Sequence, residues 1–203
     1  MFDMFEPFIL TFIALFVAVD AIGNIPIFIS FVEGVSSEQK DRIVRDSVTT
    51  ATVVAVLFML IGKLILRFIG ITIPDFQIAG GMLLFAISLR LLLPASSKGF
   101  SFNPHEKDLG VFPLGTPLIT GPAVLTTTLI MVDSYGMPAT LAALLLNMSI
   151  VWLTLVKSDA LLKVLGAGGL RALSKIMYIL LAAIGVMMVR RGVLSVIQSN
   201  LIK

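Results

Sequence analysis

Asp20 is the single charged residue between Pro7 and Val32, in a run made almost entirely of apolar side chains. Placing a carboxylate in bilayer hydrocarbon costs about 3 kcal/mol on insertion scales, so one kept at that depth has a task. Two tasks suit it, and they are compatible. It can carry a proton or hold an ammonium group, or it can cap an interrupted helix by accepting from backbone N–H groups near Gly23 and Asn24. The residues that follow, Gly23-Asn24-Ile25-Pro26, favour an interruption. Proline lacks the backbone donor and clashes with the preceding turn, and glycine tolerates unwound backbone. A second such segment, Pro113-Leu114-Gly115-Thr116-Pro117-Leu118-Ile119-Thr120-Gly121-Pro122, lies further on, with Pro122 placed 96 residues after Pro26. A helix that restarts after a break presents unpaired N–H groups and about half a positive charge. Asn24, Thr120 and Gly121 therefore stand where an anion would be held, beside Gly23, Pro26 and Pro122. The plainer reading makes Asn24 and Thr120 N-caps ahead of their prolines.

Other chemistry is sparse. The chain has no cysteine, which excludes thiolate sites, and its one histidine, His105, lies in a polar loop with scattered acids, which makes no zinc site and allows no histidine-based triad in the membrane. Neither a Gly-x-Ser-x-Gly elbow nor a phosphate-binding Gly-Lys-Ser/Thr loop is present. No enzyme activity, metal or cofactor is expected. Asn147 is a further polar candidate for ligand contact in an apolar run. Thr49, Thr50, Thr52 and Thr126, Thr127, Thr128 are expected mostly to bond back to their own helices. Gln77 and Ser88 are weaker candidates, and Gly80, Gly81, Ala182, Ala183 and Gly185 read as packing surfaces.

The elements that must position these residues follow from composition. Of 203 residues, 58% are hydrophobic and 13% charged, outside the range of soluble domains, where about a quarter are charged. Charge-free runs predict six spans, at 7–31, 46–69, 74–93, 110–132, 137–157 and 174–195. The chain thus reads as an all-α integral membrane protein with one transmembrane domain over 1–203. Spans one and four are broken at mid-membrane. The first run has acids and no Lys or Arg before it, so it reads as a retained helix rather than a signal peptide. Ser36 with Gln39 resembles a capping box and starts the second helix near Ser37, and Pro138 suits the first turn of the fifth span. Segment 158–173, with Gly166, Gly168 and Gly169, is too broken for a span and reads as a short interfacial helix and turn. The net charge is +3, but the basic residues sit between apolar runs and report topology rather than nucleic-acid binding. Ten of the fifteen Lys and Arg fall on one side of the six-span arrangement and five on the other. This asymmetry puts the basic side in the cytoplasm and both termini outside, in a cell (inner) membrane.

Three spans followed by three spans, with breaks in the first of each set, implies an inverted-topology repeat about an axis in the membrane plane. Repeat one covers about 1–95 and repeat two about 108–203, joined by a cytoplasmic loop at about 94–109. Ala79-Gly80-Gly81-Met82-Leu83-Leu84 and Leu181-Ala182-Ala183-Ile184-Gly185-Val186 echo each other in spans three and six. Asp20-x-x-Gly23-Asn24-x-Pro26 and Pro117-Leu118-Ile119-Thr120-Gly121-Pro122 resemble the two signature segments of the MarC family of six-helix membrane proteins. The resemblance extends over nearly the whole chain. Family members often carry proline after the aspartate, where this chain has Ala21, so the first break should be softer here than in those members. The resemblance implies a secondary transporter of small neutral amino acids such as glycine and alanine, coupled to protons. The partners expected are the amino acid, protons and the lipid bilayer. A homo-oligomer stays open, and so does a passive channel or exporter on the same paired half-helices. On this reading Asp20 couples protons. Gly23, Asn24, Pro26, Thr120, Gly121, Pro122 and Asn147 bind substrate, whose carboxylate rests on the two half-helix N-termini.

Overall fold

A computed structural model describes residues 2–32, 34–93 and 110–201. All elements among them are helical: α1 (Phe2–Val19), α2 (Asn24–Phe31), α3 (Ser37–Ile69), α4 (Ile73–Leu92), a wide-turn segment over Gly110–Ile119, α5 (Pro122–Tyr135), α6 (Met137–Val156) and α7 (Ser158–Leu201). Ser37–Ile69, Ile73–Leu92, Met137–Val156 and Ala172–Gln198 are each long and apolar enough to cross a membrane. The α1–α2 pair, bent by 40°, and the Gly110–Ile119 segment with α5, bent by 53°, supply two more spans. The protein is an all-α, six-span membrane protein with its first and fourth spans broken. The connecting loop at about 94–109, with His105 in it, lies outside the described residues.

Local chemistry sets the ends. Ser36 Oγ accepts from the Gln39 N–H at 3.3 Å, and α3 starts at Ser37 as its sequence predicts. Gly70, at φ +81°, closes α3 by donating back to its last turn. At 33 residues α3 is about 50 Å long and overruns a hydrocarbon core about 30 Å thick. Its buried positions Val44, Ser47, Ala51, Ala55, Met59 and Gly62 make one stripe at helical spacing. The opposite face, with Val53, Leu57, Leu64 and Phe68, is exposed apolar surface suited to lipid. Thr72 and Asp75 form a full capping box at the start of α4. α7 bends at Gly166, at φ +64°, which separates a short first helix from the membrane-crossing part. That is the break expected within 158–173.

The inverted repeat shows in which elements exchange contacts. α1, the first half of span one, packs on α6, and the first half of span four packs on α3. α2 packs on α7, and α5 on α4. Each broken span therefore leans on the opposite repeat in the same way. The axis passes between α4 and α7, which make the most extensive contact of all. Gly81 and Gly185 meet there. A Cβ on either would stand 2.6 Å from the carbonyl oxygen of the other. That reciprocity is expected for equivalent positions on a two-fold axis, and it needs glycine on both sides.

Ion pairs fasten the two ends. Lys40 of α3 pairs with Asp159 at the start of α7, and Lys63 near the end of α3 pairs with Asp133 near the end of α5. The Lys40 ammonium also lies 5.9 Å from the centre of the buried Phe28 ring. Residues sorted to opposite sides by the Lys and Arg pattern thus lie at opposite ends of the bundle.

Candidate functional site

The eight residues of α2 cover about 12 Å and the fourteen of α5 about 21 Å, and the two helices enter the core from opposite ends. Residues at both N-termini, Gly23 and Asn24 of the first and Gly121 and Ala123 of the second, come together at one place in the protein. A cavity of about 40 Å³ lies at that meeting. The first break contributes Asp20, Gly23 and Asn24 to its wall, and the second contributes Pro117, Gly121 and Ala123. Leu84 of α4 and Met177, Leu181 and Ile184 of α7 close it with apolar surface. Such a volume exceeds the roughly 15 Å³ that one water needs and falls far below the roughly 300 Å³ at which drug-sized sites begin.

The first break caps itself. Asp20 adopts φ +47°, the left-handed region, which short polar side chains reach by bonding locally. Its Oδ1 accepts from the Gly23 N–H at 3.0 Å. The carboxylate thereby sits at the positive end of α2. Asn24 turns the other way: its Nδ2 donates to the Val19 carbonyl at 2.9 Å, filling an acceptor at the end of α1. Asn24 is therefore not the N-cap that its sequence suggests. Gly23 holds that position, and α2 begins at Asn24, two residues before Pro26. The carboxylate has supplied the acceptor, which frees the Asn24 side chain for the opposite terminus. Asp20 is also exposed, following Ile9, Ile13 and Val17 along the outward stripe of α1, so it stands at the mouth of the cavity.

The second break is built differently. Thr116 is extended, at φ −136° and ψ 129°, and the Thr120 N–H reaches back to the Gly115 carbonyl at 3.0 Å. Gly121 is the N-cap of α5 and brings no side-chain acceptor. Thr120 does not cap either. Its hydroxyl is buried, with no hydrogen-bond partner among the described residues. The first turn of α5 thus faces the cavity through Gly121 and Ala123 with no side-chain oxygen capping its N–H groups. An ideal Cβ on Gly121 would lie 2.3 Å from the Pro117 carbonyl oxygen. Glycine here permits the backbone to fold closely on itself, rather than keeping space for a ligand above it.

Of the residues singled out by sequence, Asp20, Gly23, Asn24 and Gly121 are brought together around the cavity. Thr120 and Pro122 adjoin Gly121 but are not in the wall. Pro122 packs on Gly80, where a Cβ would stand 1.9 Å from its ring. Pro26 is also outside the wall. Its carbonyl accepts from the Ser30 hydroxyl at 3.0 Å and the Ser174 hydroxyl at 3.1 Å, tying α2 to α7. Pro122 repeats half of this arrangement, its carbonyl accepting from Thr126 at 2.8 Å. Asn147 lies away from the cavity. Its amide donates to Ala143 at 2.9 Å and to Phe12 at 3.3 Å, joining α6 to α1. Thr52 and Thr128 bond back one turn, as expected. Ala123, Met177 and Ile184 were not legible as wall residues, since apolar side chains in apolar helices give no signal. Ser174 was missed for lack of a partner pattern within its own helix.

The family model described as MarC family integral membrane protein matches residues 5–197. The chain belongs to the MarC family. It is 31% identical over 195 residues to a UPF0056 membrane protein of Methanocaldococcus jannaschii, covering 92% of this chain and 95% of the relative. A UPF0056 membrane protein of Archaeoglobus fulgidus is 33% identical over 195 residues, with 91% of each chain covered. The UPF0056 inner membrane protein YhgN of Escherichia coli strain K12 is 28% identical over 183 residues, covering 89% and 93%. No solved structure matches the chain. This MarC-family chain is therefore a multi-pass integral membrane protein.

Proposed function

We propose that this MarC-family protein is a secondary transporter of small neutral amino acids, glycine and alanine in particular, and that proton movement at Asp20 drives it. One observation carries the reading: a helix N-terminus without a side-chain cap and a carboxylate line the same cavity within the membrane. A zwitterion is complementary to that pair. Its carboxylate takes the free N–H groups of α5 at Gly121 and Ala123, and its ammonium faces Asp20. The terminus of α2 is already served by Asp20 through the Gly23 N–H, so α5 is the better seat for the substrate carboxylate. The small apolar cavity favours a short side chain and needs some opening of the half-helices to admit it, which fits alternating access around a site between inverted repeats.

The test is uptake by purified protein in liposomes. Uphill accumulation of glycine or alanine on imposing a pH gradient is expected. Flux that only runs downhill, or ion conductance, supports a channel built on the same half-helices instead. We further infer that the end holding Ser37, Lys40 and Gly168 faces the cytoplasm of the cell membrane and that both termini lie outside. The chain has no cysteine, so single Ser37→Cys, Gly168→Cys and Ser134→Cys variants can be probed directly. Ser37 and Gly168 are exposed at one end and Ser134 at the other. In intact cells an impermeant maleimide should label only the Ser134 variant, and labelling of Ser37 and Gly168 alone would reverse the orientation.

A further inference from the structure

Where α3 begins, a groove of about 790 Å³ runs between its first turns and the last turn of α6. Glu38, Asp41, Arg42 and Arg45 line it from α3, and Trp152 and Val156 from α6. This is the edge of the bilayer. The apolar run of α3 starts just after Asp46, and α6 ends at Val156, before Lys157. Trp152 is 50% exposed, at the level where tryptophan is enriched in membrane proteins. From the groove two outward stripes lead into the membrane, one through Thr49, Val53 and Leu57 on α3 and one through Ser149 and Leu145 on α6.

We propose that this groove is a binding site for a zwitterionic phospholipid with a primary ammonium, of the phosphatidylethanolamine class. The charge of the lining decides the class. Two guanidinium groups suit a phosphate. Both are tethered on their Nε side by Asp46, at 3.5 Å for Arg42 and 3.7 Å for Arg45. Their side chains remain 60% and 73% exposed, so the outer nitrogens are open to the groove. Glu38 and Asp41 add two carboxylates that take part in no ion pair among the described residues. A purely anionic headgroup would meet the guanidinium groups but leave these acids facing its own charge. A phosphate followed by an ammonium matches both signs. A primary ammonium can also donate hydrogen bonds to the acids, which a quaternary one cannot. The indole of Trp152 covers the glycerol region, and the acyl chains lie along the two stripes.

The experiment is native mass spectrometry of the purified full chain titrated with phosphatidylethanolamine, phosphatidylcholine and phosphatidylglycerol of identical acyl chains. Wild type should retain the ethanolamine lipid about 10-fold more strongly than either of the others. The double variant Arg42→Gln/Arg45→Gln should lose binding of all three. Glu38→Gln/Asp41→Asn should lose the preference and come to favour the glycerol lipid. Lys163→Gln, an exposed change on α7 outside the groove, should behave as wild type. Equal retention of the three lipids by wild type overturns the proposal. So does phosphatidylglycerol bound as tightly as phosphatidylethanolamine and unaffected by Glu38→Gln/Asp41→Asn, which would mark a plain anionic site. Because the four positions are on exposed turns of α3, melting temperatures of the variants in detergent should stay near wild type. A preference that survives both double variants also rejects the site.

Discussion

Asp20→Asn should abolish pH-driven accumulation of glycine while leaving the protein folded. The substitution separates the two things the carboxylate can do. An asparagine Oδ1 can still accept from the Gly23 N–H, the bond that holds at 3.0 Å in the native break, and asparagine tolerates the left-handed backbone of that position, at φ +47°. The cap therefore survives, and stability in detergent should change by no more than about 1 kcal/mol. What is lost is a group that changes charge. Uphill uptake should fall by about 100-fold, to background, because an ion gradient does work only through a group whose occupancy differs between the two sides of the cycle. Substrate exchange between equal pools, which needs no net proton movement, should persist at a reduced rate. Asp20→Ala makes the contrast. It removes the cap as well, exposes the α2 terminus and places a residue ill suited to positive φ, so both stability and transport should drop. If Asp20→Asn keeps wild-type uphill uptake and its pH dependence, Asp20 is a capping residue only.

The reasons this site could be partly read from sequence are physical. Breaks at Gly23–Pro26 and Thr120–Pro122 were legible because proline and glycine act on their own backbone, without reference to tertiary partners. Six spans were legible because a bilayer imposes a length on each, and the helix start at Ser37 because its cap is local. What escaped was whatever depended on a neighbour in space. Asn24 looks like a cap in one dimension, but it serves the Val19 carbonyl because Asp20 has already taken the Gly23 N–H. Asn147 looks like an isolated polar group seeking a ligand, but it has α1 backbone beside it. Gly81 and Gly185 were legible as small residues, whereas their meeting across the repeat axis required the fold. The cavity wall from α4 and α7 is apolar, and no sequence pattern separates it from lipid-facing surface. The outward position of Asp20 was equally hidden: it continues the exposed stripe of Ile9, Ile13 and Val17, and in an apolar helix no sequence pattern tells that stripe from the buried one.

Filling the cavity and distorting the break should give different outcomes, and the comparison of Ala123→Leu with Gly121→Val shows which residue guards the substrate. Ala123 is partly buried in the first turn of α5 and its side chain is in the wall. Leucine suits a helix and adds three carbons to a cavity of about 40 Å³. Binding of glycine should weaken by at least about 100-fold, with the melting temperature within a few degrees of wild type. Gly121→Val acts on the backbone instead. Its Cβ would stand 2.3 Å from the Pro117 carbonyl oxygen, so the turn from Pro117 to Pro122 must shift, at a cost of about 1–3 kcal/mol. Gly121→Val should therefore lose stability together with binding. Calorimetry on wild type with glycine, glycinamide and methylamine then tells what the free N–H groups of α5 hold. Glycine should bind and the other two should not, because only glycine brings the carboxylate that an uncapped helix terminus attracts. Leucine and phenylalanine should compete poorly against the walls of Leu84, Leu181 and Ile184. Glycinamide bound as tightly as glycine, or full affinity in a folded Ala123→Leu, would mean that the cavity between the two breaks is not where the substrate sits.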